Sequence, residues 1–189
     1  MAQWRLGLII AAFDVHYFQE GCASAAAVLF HDYRDTEPLA EYTGFLTGVA
    51  DYMPGEFYRR ELPCILALFK QFGETPDEIV IDGYVMLGDR PGLGQRLFEY
   101  FQGRIPVIGV AKSKLPDASG MEVFRGRSRK PLYITSAGVD IREASERIKV
   151  MHGEHRIPGL LKRVDFLARL KAKNIVLYDS PDSKNLLMK

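Results

Sequence analysis

The sequence predicts an α/β fold: a mixed sheet, antiparallel at first and parallel later, flanked by helices. Two observations carry that reading. The first part of the chain holds apolar, small-residue stretches broken by turn residues, the pattern of an antiparallel meander. Beyond Pro54-Gly55, strand-length apolar runs alternate with segments whose apolar residues recur at helical spacing. Strands first, then strands alternating with helices, imply one sheet covered by helices. A chain of 189 residues is long enough for a single domain with a sizeable core.

Taken in order, Trp4 to Phe13 reads as a strand buried on both faces and ending at Asp14. Cys22 to Phe30 and Glu41 to Leu46 read as the next two strands. Gly21 and the segment Arg34-Asp35-Thr36-Glu37-Pro38 supply the turns between them. Leu62, Ile65, Leu66, Phe69 and Phe72 form one helix face, with Glu61 early in that helix and a stop near Gly73. Glu78 to Ile81 is a short strand running into Asp82-Gly83. Leu93, Leu97, Phe98 and Phe101 mark a helix over 92–101. Pro106 to Ala111 is a strand that ends at Lys112. Met121 to Phe124 and Leu132 to Thr135 form a hairpin around the basic turn Arg125–Lys130. Ile141 to Met151 is an amphipathic helix. Pro158 opens a last one, with Leu161, Val164, Leu167 and Ala168 inward. The domain is expected to span 1–172, with 173–189 a tail in which Ile175 to Tyr178 adds an edge strand.

No apolar run reaches membrane-spanning length, and no secretory pattern opens the chain. Cys22 and Cys64 lack metal-ligand spacing, so free thiols in a reducing, cytoplasmic setting are expected. The net charge of +1 says nothing about partners, but its distribution does. From Arg90 to Lys130 there are nine basic residues: Arg90, Arg96, Arg104, Lys112, Lys114, Arg125, Arg127, Arg129 and Lys130. Only Glu99, Asp117 and Glu122 oppose them. Such a bias suits a surface that meets phosphates, or a merely solvated basic face.

In this layout Asp14 and Asp82 lie at the ends of neighbouring strands, at the sheet edge where ligands bind. Glu61 can point to the same edge, and Asp165 on the last helix can close the cluster. Singly, each Asp is a common cap or turn residue, and Glu61 alone could pair with Arg59 or Arg60 or face water. Together, crowded carboxylates repel and call for a cation. Oxygen-only ligands favour magnesium, or manganese, over zinc. Such a site suits in-line displacement at phosphorus, with Lys112 orienting the water or neutralising the phosphate.

Five segments, in order, resemble the endonuclease V family. Asp14-Val15-His16-Tyr17 is similar to its first-strand Asp segment, which usually has Ser in the place of His16. Tyr52-Met53-Pro54-Gly55 through Glu61-Leu62-Pro63 matches its Tyr-x-Pro-Gly…Glu-x-Pro stretch. Asp82-Gly83 matches the start of Asp-Gly-His-Gly. Gly109-Val110-Ala111-Lys112-Ser113 has the family form. Arg156-Ile157-Pro158 through Arg163-Val164-Asp165 resembles the closing stretch. The likeness runs from about Arg5 to Arg169, and five ordered matches are far more specific than one.

The resemblance implies an RNase H-like fold and a repair nuclease acting 3′ to deoxyinosine in DNA, or to inosine in RNA. It implies that Asp14, Glu61, Asp82 and Asp165 are magnesium-site carboxylates and that Lys112 is the catalytic lysine. It makes Tyr52, Met53 and Pro54 a wedge beside the lesion. Gly55, Gly83, Gly92, Ala111 and Leu115 would then line a pocket for the everted hypoxanthine. A monomer with no membrane association is expected. The sequence departs from the family pattern at Tyr84 and Val85, which replace His and Gly. It also departs at Met86–Pro91, which replaces a His-Pro-Arg-Arg segment, and at Gly94-Gln95-Arg96 and Ser136–Val139. Two other readings stay open: an RNase H-like nuclease with a different substrate, and a nucleic-acid-binding protein without turnover. The full acidic set argues against the last, because carboxylates that repel phosphates do not help a binder.

Overall fold

The computed structural model describes residues 7–19, 21–50, 53, 56, 58–116 and 119–178. The sheet is built outward from β1 (Ile10–Gln19). On one side β1 pairs antiparallel with β2 (Cys22–Phe30), which pairs antiparallel with β3 (Ala40–Thr47). On the other side it pairs parallel with β4 (Glu78–Asp82), which pairs parallel with β7 (Val107–Ala111). Then come β9 (Leu132–Ala137) and β8 (Met121–Val123), both antiparallel to their neighbours. The order is β3-β2-β1-β4-β7-β9-β8. This is the expected mixed sheet, a meander followed by parallel strands, in an RNase H-like arrangement.

Helices cover both faces. α3 (Ile141–Val150) and α4 (Gly159–Tyr178) share a core with Ile10, Ala12, Val28, Phe30, Val80 and Ile108. On the opposite face α1 (Tyr58–Phe69) and α2 (Leu93–Tyr100) share one with Ala11, Phe13, Ile79, Ile81 and Val107. The alanines of β1 and β2 are fully buried, and with so little side chain they let α4 come close to the sheet. Ser24 Oγ donates to the Ala168 carbonyl at 2.7 Å, which leaves that hydroxyl satisfied beneath α4.

Several expectations change. The predicted start of the first strand at Trp4 lies outside the described residues, and β1 begins at Ile10. It does not end at Asp14 but continues to Gln19, because the hairpin with β2 keeps pairing it. Only its parallel pairing with β4 stops there, at Phe13–Ile81, so Asp14 still stands where one neighbour falls away. Ile175 to Tyr178 is not an edge strand: α4 runs through it unbroken, and the expected boundary between 172 and 173 falls inside that helix. A two-strand hairpin, β5 (Met86–Leu87) with β6 (Arg90–Pro91), was not expected. Gly88, at φ 62°, makes its turn possible. Among the described residues no helix is long and apolar enough to cross a membrane.

Candidate active site

Strand alternation puts three of the expected residues on one face. Ile10 and Ala12, Val80, and Ile108 and Val110 lie in the core under α4. Asp14, Asp82 and Lys112 continue the same alternation where those apolar rows stop. Asp165 follows Val164, which α4 buries in that core. The four line one crevice, floored by Val110 and walled by Ile157, Leu161 and Val164. Glu61 reaches the same edge from α1 on the other layer, close enough that the charges of Asp14 and Asp82 act on it. Among the described residues neither neighbouring arginine pairs with it. Arg59 bonds Glu56 at 2.8 Å, and the Arg60 guanidinium lies 3.9 Å above the Tyr17 ring.

The electrostatics follow from this crowding. Burial pushes the Asp14 carboxyl up to about 7, helped by the charges of Asp82 and Asp165 and opposed by Lys112. Burial pushes Glu61 up to about 8, with Asp14 and Asp82 adding to it. Asp165 goes the other way. Arg169 donates to its two oxygens at 3.0 and 3.1 Å and holds it below the usual carboxylate value. The Asp14 and Asp165 side chains share a hydrogen bond, so their common proton stays on Asp14. Lys112 Nζ lies 2.5 Å from Asp82 Oδ2. Burial alone would lower the lysine, but that hydrogen bond and the charges of Asp82, Asp14 and Asp165 outweigh it and raise the pKa.

The donor set is all oxygen, which suits a hard divalent cation. Burial and mutual repulsion outweigh Lys112 and Arg60 and keep protons on Asp14 and Glu61 to near neutrality, and a cation would offset that repulsion. Among the described residues no three His, Cys, Asp or Glu side chains form a ready-made metal cluster. The thiols take no part: Cys64 is buried and its pKa is pushed up to about 11 by burial.

Several residues that support the site carry no strong signal in the sequence. Arg156 donates to the carbonyls of Lys112 and Pro131, the latter at 2.7 Å. Arg125 belongs to the basic run expected at a surface, and the structure corrects this. It is 5% exposed, and its guanidinium is spent on the carbonyls of Lys149, Met151, Gly153, His155 and Arg156. Arg169, one turn after Asp165, could have been found from its i,i+4 spacing. No local signal marks Arg125, because its acceptors belong to a loop far along the chain.

Comparison with known proteins decides the lineage. A family model described as Endonuclease V matches residues 3–155. The chain belongs to the endonuclease V family. An endonuclease V of Rhodospirillum centenum is 35% identical over 178 residues, covering 82% of this chain and 74% of its own. One from Xanthomonas campestris pv. campestris is 33% identical over 107 residues, 57% of this chain and 45% of the relative, so this match spans about half that protein's length. The solved endonuclease V of Ciona intestinalis, in complex with a 24mer DNA containing an inosine followed by a ribo-adenosine, aligns with a TM-score of 0.73. It is 16% identical over 91% of this chain and 89% of its own, a likeness of fold.

Against the endonuclease V pattern, the remaining residues fall as follows. Met53 is exposed, while Tyr52, Pro54 and Gly55 lie outside the described residues. Gly83 follows Asp82 at φ +133°, with open space where a Cβ would stand. At Gly92 a Cβ would meet the Tyr84 and Val85 carbonyl oxygens at 2.7 and 2.8 Å, so glycine is required for α2 to start against that turn. Ala111 is buried and Leu115 is exposed. Tyr84, in the family's His position, turns inward. Its hydroxyl donates to the Ser113 carbonyl at 2.8 Å and accepts from the Leu115 amide at 3.2 Å. The turn after Asp82 is thereby bonded to the loop after Lys112.

Proposed function

We propose that this endonuclease V family member is a magnesium- or manganese-dependent endonuclease. It would hydrolyse a phosphodiester bond 3′ to deoxyinosine in DNA, or to inosine in RNA. The observation that carries the reading is the convergence of Asp14, Asp82, Asp165 and Lys112 in one crevice, with Glu61 electrically coupled to them. The inosine-containing DNA bound by the Ciona intestinalis relative supports the substrate class.

Asp14, Glu61, Asp82 and Asp165 are the residues that would hold the cation. Bound there, it would supply Lewis-acid polarisation of the phosphate and a more acidic water. The chain's own residues do the rest. Lys112, paired with Asp82, would bring its ammonium to the attacked phosphate and offset charge developing on the non-bridging oxygens. Arg169 keeps Asp165 ionised and oriented. Arg156 fixes the Lys112 backbone from one side, and the Tyr84 hydroxyl fixes the loop beyond it from the other. Ile157, Leu161 and Val164 form an apolar wall that limits water in the crevice. Tyr52, Met53 and Pro54 as the wedge, and Gly55, Gly83, Gly92, Ala111 and Leu115 as the base pocket, are part of the same proposal.

The test is cleavage of labelled duplex and single-stranded DNA carrying inosine, uracil, an abasic site or no lesion, and of inosine RNA, with magnesium or with EDTA. A magnesium-dependent nick 3′ to inosine is expected. The Tyr84 bridge, absent from the usual family pattern, favours a second reading in which the nuclease takes another substrate. Magnesium-dependent cleavage without inosine preference would support that one, and no cleavage of any substrate would overturn both.

A further inference from the structure

The nine basic residues between Arg90 and Lys130 do not form one uniform surface. Lys112 bonds Asp82, Lys114 pairs with Glu122 at 3.6 Å, and Arg96 pairs with Glu99 at 3.4 Å. Arg104 caps the Phe101 carbonyl at 3.2 Å, and Arg125 is buried among backbone carbonyls. Four are left, all exposed and without a side-chain partner among the described residues: Arg90 on β6, and Arg127, Arg129 and Lys130 together on the turn between β8 and β9.

Gly126, Arg127 and Ser128 of that turn form one wall of a cleft of about 680 Å³, and Arg129 and Lys130 follow directly beyond them in the chain. The other wall is the segment joining α3 to α4, represented by Glu154, His155 and Arg156. The cleft is rigidly built. Arg125, rooted in the turn, donates to five carbonyls of the opposite segment, from Lys149 to Arg156. Gly126 sits at φ 57°, and a Cβ there would collide with the Glu154 carbonyl oxygen. The cleft also adjoins the candidate active site, because Arg156 in its wall bonds the Lys112 carbonyl. Phe124, at the head of the turn, is 55% exposed, and an exposed aromatic ring can stack on a base.

We propose that this cleft and the turn beside it bind the phosphodiester backbone of the nucleic-acid strand outside the cleaved linkage, with Arg127 as the phosphate contact in the cleft and Arg129 and Lys130 as contacts beside it. This rests on the nuclease reading for its role but not for the existence of the site. An extended polyanion fits better than a single phosphate. The three cations are spread along a turn rather than focused on a point, and the exposed Phe124 precedes them in the same segment. Their side chains are long and unpaired, so they can follow a backbone without first breaking an ion pair.

The test compares the wild type with Arg127→Ala/Arg129→Ala/Lys130→Ala, and with Arg127→Lys/Arg129→Lys as the charge-keeping control. Binding to a labelled oligonucleotide is followed by fluorescence anisotropy in EDTA across a salt series. The alanine variant should bind ~10-fold or more weakly near 0.1 M salt, and the slope of log affinity against log salt should fall by about 2 to 3. The lysine control should keep the wild-type slope. With magnesium, the alanine variant should raise KM on long substrates and leave kcat unchanged. Melting curves should superpose, since the three side chains have no partner to lose among the described residues. An unchanged salt slope in a folded alanine variant overturns the proposal. If the wild type cleaves nothing but loses its slope in the variant, the nuclease reading fails while the cleft stands. If cleavage is normal and the slope does not move, the reverse holds.

Discussion

At the residue scale the site is a set of acids whose protons are placed by their neighbours. Asp14 and Asp165 share a proton, and Arg169 decides which of them keeps it. Asp82 is held by Lys112 instead. Asp82→Asn keeps the shape and removes one negative charge from beside both Asp14 and Glu61. Cleavage should fall by roughly three orders of magnitude or more, as for other groups that stabilise charge in the transition state. Stability should change by less than ~1 kcal/mol, because the lost pair with Lys112 is half exposed and the relieved repulsion offsets it. Magnesium assays together with thermal melts check this, and wild-type turnover would remove Asp82 from the site. Arg169→Ala should act one step away. Without its donors Asp165 becomes a better competitor for the shared proton, so cleavage should drop ~10-fold or more while the fold is kept. Arg169→Lys, which restores a positive charge but not the fork, should recover only part of that loss.

At the scale of elements, the features that can be read from sequence are those that repeat or stand in a motif. Alternation and helical spacing mark every long element, β1 and α4 only in part, and five motif segments in order mark Asp14, Glu61, Asp82, Lys112 and Asp165. The small β5–β6 hairpin leaves only Gly88-Asp89 as its trace, since two-residue strands carry no periodicity. Ile175 to Tyr178 resembles a strand by its branched and aromatic side chains, and that preference loses to the continuity of α4. Arg125 is illegible for a different reason. A buried guanidinium is stable only when many acceptors converge on it, and its acceptors come from a segment about one helix further on. Arg125→Ala strands those carbonyls and opens a cavity, and should cost about 3 kcal/mol or more. Hydrogen exchange should speed up first between Met151 and Arg156, and cleavage should fall with it, because Arg156 then lets go of Lys112. If activity survives a loosened loop, Arg156 does not position the lysine. A comparable anchor at the far end of the sheet ties α3 to β4. Buried Glu78 accepts from Arg147 at 2.6 and 2.7 Å and from Tyr33 at 2.9 Å. Glu78→Gln should destabilise the protein by roughly 2–4 kcal/mol without changing kcat, since it touches nothing near Lys112.

At the scale of the whole molecule, stability and cation binding draw on the same protons. Asp14 ionises near 3.8 in the unfolded chain and about 7 in the fold, and Glu61 near 4.5 and about 8. Raised carboxyls mean that the folded state binds more protons than the unfolded one between those values. Their contribution to stability is therefore complete below about 4 and is lost progressively as pH rises to about 7 for Asp14 and about 8 for Glu61. Asp14→Asn copies the protonated form and still donates to Asp165. Its advantage over the wild type should be near zero below about pH 4, should already have opened at pH 5 and should grow to roughly 3–4 kcal/mol by pH 8 in EDTA, since each tenfold change in proton affinity is worth about 1.4 kcal/mol. Magnesium competes for the same oxygens, so it should raise the wild-type melting temperature more at pH 8 than at pH 5.5, where protons hold the site. The variant has lost a ligand and a charge, so magnesium should help it little, and the gap between the two proteins should close as the ion is added at pH 8. Calorimetry of both proteins at the two pH values, with and without magnesium, measures all of this together. A gap that is the same at both pH values would mean that Asp14 titrates normally in the fold. A gap that opens with pH but ignores magnesium would leave the buried proton in place and remove the cation from Asp14.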